Sequence, residues 1–235
     1  MAASLRNIFL LTLVAGFVDT ATFIHLYGLF SSHVTGNFVV LAAAIGNGVR
    51  SNDLLKLLSF PVFIFAAVAA TVIHDRVTGH DKEEGFDRWL TFLTGSLLLA
   101  AGLSAFISSG HTSADSVSTV DTIAGMTAVF AMGMQNAIHR FAASLSPPTT
   151  VMTGTVTQLT VMATRKIFAR PNSAGKPASK PFSTSGLFYL AAAFGAGCLL
   201  SVPITLLTGL GALIAPGAIL ATIAFAGGDA SLKAN

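Results

Sequence analysis

Apolar residues along this chain gather into long blocks, not into the stripes that mark one face of a soluble helix. Blocks such as 57–73 and 187–207 do not alternate polar and apolar residues, as strands of a membrane barrel would. We therefore predict an all-α fold, because a helix satisfies its own backbone in lipid. About 20 helical residues cross roughly 30 Å of hydrocarbon. Six stretches reach that length: about 8–29, 54–74, 89–109, 121–143, 187–206 and 209–227.

Two further apolar segments, at about 34–49 and 151–164, are short and interrupted. We predict each as a short helix, either re-entrant or just long enough to span. The connection 165–186 is rich in Pro, Ser and Lys, which predicts a solvated loop. The interruptions are two small polar tripeptides, Thr35-Gly36-Asn37 and Thr153-Gly154-Thr155.

The chain also repeats itself, which favours a single membrane domain over residues 1–235 built from two related halves, at about 8–109 and 121–227. The motif ending in Asp19 matches the motif ending in Asn136, and each is followed by one of the interrupted segments. Several matches in the same order indicate a duplicated unit. The matching strings are Gly16-Phe17-Val18-Asp19 with Gly133-Met134-Gln135-Asn136, and Ser31-Ser32-His33-Val34-Thr35-Gly36-Asn37 with Thr149-Thr150-Val151-Met152-Thr153-Gly154-Thr155.

Composition supports a membrane location and suggests an orientation. The chain is 53% hydrophobic and 10% charged, whereas soluble domains carry about 25% charged residues. Five of its 13 Lys and Arg lie between Arg165 and Lys180, and basic loops favour the cytoplasmic side. The N-terminus is then also cytoplasmic. Six spans with two re-entrant segments and inverted halves fit this bias slightly better than eight spans with parallel halves, a difference that depends on Arg50 and Lys56.

Asp19 carries the clearest chemical signal, because it falls near the middle of the first predicted span. An Asp at mid-membrane costs about 2.5–3.5 kcal/mol on insertion scales, so something must offset that cost. It shares a helical face with Thr12, Ala15, Gly16 and Thr22, which predicts contact with other helices. Asp19 is either a proton or cation coupling site or a protonated residue that locks two helices together.

The interrupted segments and the second-half amides are the other candidate binding residues. Broken helices at matching positions of two repeats point to a transporter's binding site, so Thr35, Gly36, Asn37, Thr153, Gly154 and Thr155 become candidates. Gln135 and Asn136 are added as hydrogen-bonding groups. The alternatives are a capped interhelical turn and interhelical hydrogen bonds. His25 and His33 flank the first loop and can form a proton relay with Asp19, and Arg140 is another conceivable partner of that carboxylate.

Enzyme, cofactor and nucleic-acid signatures are absent from the sequence. It has no HExxH, GxSxG or P-loop motif, so we expect no catalytic residues. The single cysteine, Cys198, excludes an intrachain disulfide, and the six histidines form no close ligand cluster, so no metal or cofactor is expected. Asp121 fits a helix N-terminus, although an acid pair with Asp19 is the alternative.

The four ordered motifs of the two halves, from Gly16 to Thr155, resemble the signature of the YoaK-like family, a family of mostly bacterial membrane proteins of unknown function. The resemblance extends over about 16–225. It implies a polytopic helical protein of the bacterial inner membrane and supplies no substrate. From the residues we expect a secondary transporter or permease for an unidentified small molecule or ion. The alternative is a non-transporting membrane scaffold that binds a partner, and assembly into a homo-oligomer stays open.

Overall fold

The computed structural model describes residues 2–48, 53–78, 88–108, 117–141, 154, 156–161, 164 and 184–226. Within these ranges the chain forms helices joined by turns, and it forms no strand. The all-α prediction is therefore confirmed for this part of the chain. The helices are α1 Ala2–His25, α2 Gly36–Asn47, α3 Leu54–Thr78, α4 Arg88–Ser108, α5 Thr119–Phe141, α6 Thr184–Thr208 and α7 Ile214–Ala226, with a 3₁₀ helix at Gly209–Leu213 between the last two.

Four described segments are long and apolar enough to cross a membrane, and such helices indicate an integral membrane protein. They are Arg6–His25, Leu54–Arg76, Arg88–Ser108 and Ser185–Phe225. The last covers 41 residues and includes α6, the 3₁₀ helix and α7. The predicted span at 121–143 forms as α5, yet it is more polar than these four, because it contains Asp121 and the Gln135–Arg140 region.

α5 tolerates this polarity because it lies inside the bundle. Ala124, Ala128, Met132 and Met134 on α5 are fully buried or nearly so, and the helix packs against both α3 and α4. A helix covered by neighbouring helices needs less apolar surface than one that faces lipid. By contrast, α6 exposes a row of leucines: Leu199, Leu200, Leu206 and Leu207.

Close glycine contacts bring α1 and α6 together. A Cβ added at Gly16 would lie 2.3 Å from the Phe194 carbonyl oxygen, and one added at Gly197 would lie 2.0 Å from the Leu13 carbonyl oxygen. Neither position has space for a methyl group. Small residues at such crossings let the two backbones approach closely, which is how membrane helices gain van der Waals contact without a hydrophobic driving force.

The first helix ends earlier than the sequence indicates. The predicted span runs to about residue 29, but α1 ends at His25. Tyr27 and Gly28 adopt positive φ angles of 52° and 88°, which turn the chain back toward α1. Asp19 is therefore six residues, or about 9 Å at 1.5 Å per residue, from the helix end. Asp19 is residue 14 of the 20 residues in the apolar span Arg6–His25, so it lies on the C-terminal side of the middle of that span.

The first interrupted segment forms α2, a helix of 12 residues. At 1.5 Å per residue it is about 18 Å long, which is too short to cross roughly 30 Å of hydrocarbon. In the second segment, residues 156–161 are helical and mostly exposed. Thr153 and Thr155 lie outside the described residues, as does most of the predicted loop at 165–186; α6 begins at its end, at Thr184.

Candidate functional site

The carboxylate of Asp19 is buried and fully engaged by the loop that follows α1. Asp19 is only 3% exposed. The Oδ1 atom accepts hydrogen bonds from Ser31 N–H at 2.8 Å, from Ser31 Oγ at 3.0 Å and from Ser32 N–H at 2.6 Å. The Oδ2 atom contacts Nδ1 of His33. These donors compensate the carboxylate for the water that it loses on burial.

The loop is fixed in this position by Asn37, in the first turn of α2. The Asn37 side chain pairs with the Phe30 peptide as another peptide would: its Oδ1 accepts from Phe30 N–H at 2.8 Å, and its Nδ2 donates to Phe30 O at 2.9 Å. The same Nδ2 donates to Ser59 Oγ on α3 at 2.8 Å. Because Phe30 directly precedes the Ser31 and Ser32 donors, Asn37 holds those donors against Asp19.

We call the hydrogen bonds through which Asn37 holds Ser31 and Ser32 against Asp19 the clamp. A buried ion pair lies next to it. Ser59 Oγ donates to the Lys56 carbonyl oxygen at 2.6 Å, and Lys56 Nζ donates to Asp53 Oδ1 at 2.6 Å. Lys56 is only 1% exposed. The charge balance used to predict topology counts Lys56 at the start of the predicted span 54–74, and the structure buries its ammonium and pairs it with Asp53. A buried charge of this kind persists only when it is paired.

A pocket of about 360 Å³ opens beside Asp19, between α1, the loop, the start of α2 and α6. His33 and Phe23 line it and are each partly exposed, so the pocket is accessible from outside the described bundle. Aromatic rings form much of its wall: Phe23 and Phe30 lie 4.8 Å apart between ring centroids, and His33 meets Phe194 edge-on at 5.3 Å. The full lining is Asp19, Thr20, Phe23, Phe30, His33, Gly36, Phe194 and Cys198.

Of the candidate binding residues in the first half of the chain, only some lie together at the pocket. Asp19 and Gly36 line the pocket, while Asn37 acts behind the wall through the Phe30 peptide. Thr35 is exposed and occupies the N-cap position of α2 without a side-chain capping bond. Gly36 lies against the Phe30 ring, and a Cβ there would be 3.0 Å from that ring.

The second-half candidates lie elsewhere. Gln135 Nε2 donates to the Leu11 carbonyl oxygen at 3.0 Å, which joins α5 to α1 two helical turns from Asp19. Asn136 Nδ2 donates to Met132 O at 3.1 Å within α5. Neither lines the pocket. Gly154 is helical and exposed, and the side chain of Arg140 lies outside the described residues.

The two histidines of the first loop have different partners. His33 contacts Asp19, whereas His25 Nε2 lies 3.4 Å from Asp121 Oδ1. Ser118 and Asp121 cap α5 reciprocally: Ser118 Oγ donates to Asp121 Oδ2 at 2.8 Å and accepts from Asp121 N–H at 3.0 Å. Asp121 is therefore a helix-start residue, and no acid pair with Asp19 forms.

Phe194 and Cys198 of α6 are site residues that the sequence does not identify. Cys198 Sγ lies 3.5 Å from the Gly16 carbonyl oxygen. Phe194 and Cys198 both lie in the apolar block 187–206, whose pattern carries no indication of a pocket. Among the described residues, no cluster of three or more His, Cys, Asp or Glu is arranged to hold a metal ion.

The chain belongs to the DUF1275 family, whose model, described as a protein of unknown function, matches residues 8–226. This agrees with the resemblance drawn from the four motifs. Neither the curated proteins nor the solved structures contain a match.

Proposed function

We propose that this DUF1275 protein is a secondary transporter, or permease, for a small solute in the bacterial inner membrane. The observation that supports the proposal best is the contact between buried Asp19 and His33 at the wall of a 360 Å³ pocket inside an apolar helical bundle. Ionisable residues within membrane spans commonly mark ion and substrate pathways. The proposal assigns no catalytic residue to the chain.

The Asp19–His33 pair is suited to carry a proton. Nδ1 of His33 lies against Oδ2 of Asp19, where it can donate a hydrogen bond to the carboxylate, and imidazole as a group exchanges protons near physiological pH. His33 is partly exposed while Asp19 is not, so a proton can reach the pair through the imidazole. In the proposed cycle, a change in this proton's occupancy accompanies solute binding in the pocket.

Helix packing supports the duplication on which the proposed architecture of six spans and two inverted halves depends. α1 packs against α6, and its repeat partner α5 packs against α3. At the first crossing Gly16 meets Phe194; at the second, its counterpart Gly133 meets Phe63 and Ala66, where an added Cβ would lie 2.8 Å from Ala66 Cβ. In each half, a glycine one turn or less before Asp19 or Asn136 thus makes a close contact with a neighbouring helix. Inverted repeats with short broken helices are typical of secondary transporters.

In this arrangement both short segments are re-entrant, and the N-terminus and the loop 165–186 are cytoplasmic. The orientation can be tested with Ser173→Cys in a Cys198→Ser background. An impermeant maleimide added to intact cells should leave position 173 unlabelled until the membrane is permeabilised. Labelling in intact cells would reverse the orientation.

The second candidate is a non-transporting scaffold, which the complete hydrogen bonding of Asp19 favours. All the donors described for Asp19 come from this chain, and Gln135 joins α5 to α1 as an interhelical lock does. In that case the polar residues only hold the helices together, and the surface would bind a protein partner.

Uptake by the wild-type protein separates the two candidates, and Asp19→Asn then tests the role given to Asp19. Asparagine keeps the acceptor toward Ser31 and Ser32 but cannot share a proton with His33 as a carboxylate does. Purified protein is first screened by thermal shift against metabolites and ions across pH, and hits are tested for uptake driven by a pH gradient in proteoliposomes. Transport predicts a folded variant that has lost gradient-driven uptake. Asp121→Asn, at the other Asp–His pair, is the matched control and should retain it.

Wild-type uptake by Asp19→Asn would remove Asp19 from the coupling mechanism, whereas no uptake of any hit by the wild-type protein would support the scaffold. The fold should survive the substitution, since a lost hydrogen bond between membrane helices costs only about 0.6–2 kcal/mol.

A further inference from the structure

The wall of the pocket favours a particular class of solute. Three phenylalanine rings, Phe23, Phe30 and Phe194, line it, and among the described residues Asp19 supplies its only acidic side chain. Aromatic rings attract cations through their negative faces, and rings arranged around a site are a common means of binding quaternary ammonium groups. A carboxylate close by adds to that attraction.

Anions and strongly polar neutral solutes suit this pocket less well. The donors best placed to hold an anion, the N–H groups of Ser31 and Ser32, already bond to Asp19. A sugar-like solute would need several hydrogen-bonding partners. In the described part of the lining, the only polar side chain besides the Asp19–His33 pair and the Cys198 thiol is that of Thr20. Polar groups buried without partners would weaken its binding.

We propose that the pocket binds a small organic cation with apolar or aromatic groups, and that the cation competes with the proton on the Asp19–His33 pair. This inference rests on the proposed function and makes it an exchange of one cation for one proton. With His33 as imidazolium, the pair is neutral. Loss of that proton leaves neutral imidazole still donating Nδ1–H to the carboxylate, with one net negative charge. Binding of the cation restores neutrality.

The charge balance explains why the two events would be coupled. A site holding an uncompensated charge is costly in a bundle surrounded by lipid, whereas the proton-loaded and cation-loaded sites are both neutral. Of the other described ionisable groups near α1, Lys56 is paired with Asp53 and His25 with Asp121. Arg6 is exposed and lies 13 residues, or about 20 Å, from Asp19 along α1, and the Cys198 thiol of α6 lines the pocket. No Asp, Glu, Lys or Arg occurs in α6 or α7.

The test uses purified full-length protein in nanodiscs and three soluble probes with the same ring: benzyltrimethylammonium, benzyl alcohol and benzenesulfonate. Titration calorimetry in two buffers of different ionisation enthalpy gives both affinity and the protons released. We expect the cation to bind most tightly, to bind more tightly as pH rises, and to release one proton. Equal or tighter binding of either comparator, or cation binding that neither depends on pH nor releases a proton, would overturn the proposal.

Two substitutions are predicted to act in opposite ways. Asp19→Asn should weaken cation binding by about tenfold or more, equivalent to about 1.4 kcal/mol, and leave benzyl alcohol unaffected, while Asp121→Asn changes neither. His33→Asn keeps a donor toward Asp19 but cannot be protonated, so it should bind the cation with no pH dependence and no proton release. If Asp19→Asn does not fold, His33→Asn still decides: persistent proton release from it would refute the competition.

Flux measurements separate this inference from the proposed function. In proteoliposomes, a proton gradient that is acidic outside should drive efflux of benzyltrimethylammonium. Cation binding with proton release but no flux would support the site and contradict transport. Gradient-driven uptake of a neutral or anionic solute, without any cation binding, would support transport and contradict the cation site.

Discussion

Removal of the Asn37 side chain should release the loop that holds Asp19. Asn37→Ala deletes the two hydrogen bonds with the Phe30 peptide and the one to Ser59 Oγ, all between 2.8 and 2.9 Å. A net contribution of about 0.5–1.5 kcal/mol for each bond predicts a loss of about 2–4 kcal/mol in the free energy of unfolding. It also leaves the Phe30 N–H and carbonyl without this partner.

Two measurements check this prediction. Reversible unfolding with SDS in mixed micelles gives the change in free energy, and the rate at which a small maleimide alkylates Cys198 reports on the pocket, since Cys198 lines it and is the single cysteine of the chain. Alkylation should be faster in Asn37→Ala. The control is Thr127→Ala, an exposed residue of α5 whose hydroxyl bonds to the Ile123 carbonyl oxygen within its own helix. A loss below about 0.5 kcal/mol, or no larger than that of the control, would refute the clamp.

Two further predictions concern packing and the buried charge. Gly197→Ala should destabilise the protein by about 1–3 kcal/mol in SDS unfolding, because the new Cβ would meet the Leu13 carbonyl. Gly195→Ala is the control and should cost nothing measurable, because nothing lies within 4 Å of its Cβ position. Equal effects of the two substitutions would contradict the close crossing of α1 and α6. Lys56→Met should lower the free energy of unfolding by about 3–5 kcal/mol, because it leaves Asp53 buried without its ammonium partner. A double variant with Asp53→Asn should recover much of that loss in the same assay. If it recovers none, the ion pair does not stabilise the fold.

Much of the fold could be predicted from the sequence, because each segment in lipid must satisfy its own backbone hydrogen bonds. All six long apolar blocks form helices. The residue at which α1 ends could not be predicted, because it depends on Tyr27, a non-glycine residue with positive φ. No residue pattern marks that position. The polarity of α5 also has its reason in three dimensions, since neighbouring helices cover it.

The site was predictable in its centre and not in its surroundings. Asp19 stands out because a carboxylate in an apolar block is costly, but sequence alone offers His25 and His33 equally as its partners. The turn after α1 decides between them, because it brings the chain back to His33 and leaves His25 beside Asp121. The pocket wall from α6 depends on a helix pairing between residues 182 positions apart, which periodicity does not reveal.

The clamp around Asp19 also has a consequence for biosynthesis. The donors to its carboxylate follow it by 12 to 14 residues, and Asn37 and Ser59 complete the clamp within the first three helices. Because the ribosome delivers the chain from its N-terminus, these groups emerge directly after α1, long before α5 and α6. The most costly residue of the first helix can therefore be satisfied during translation, while the pocket acquires its far wall only when α6 enters the membrane.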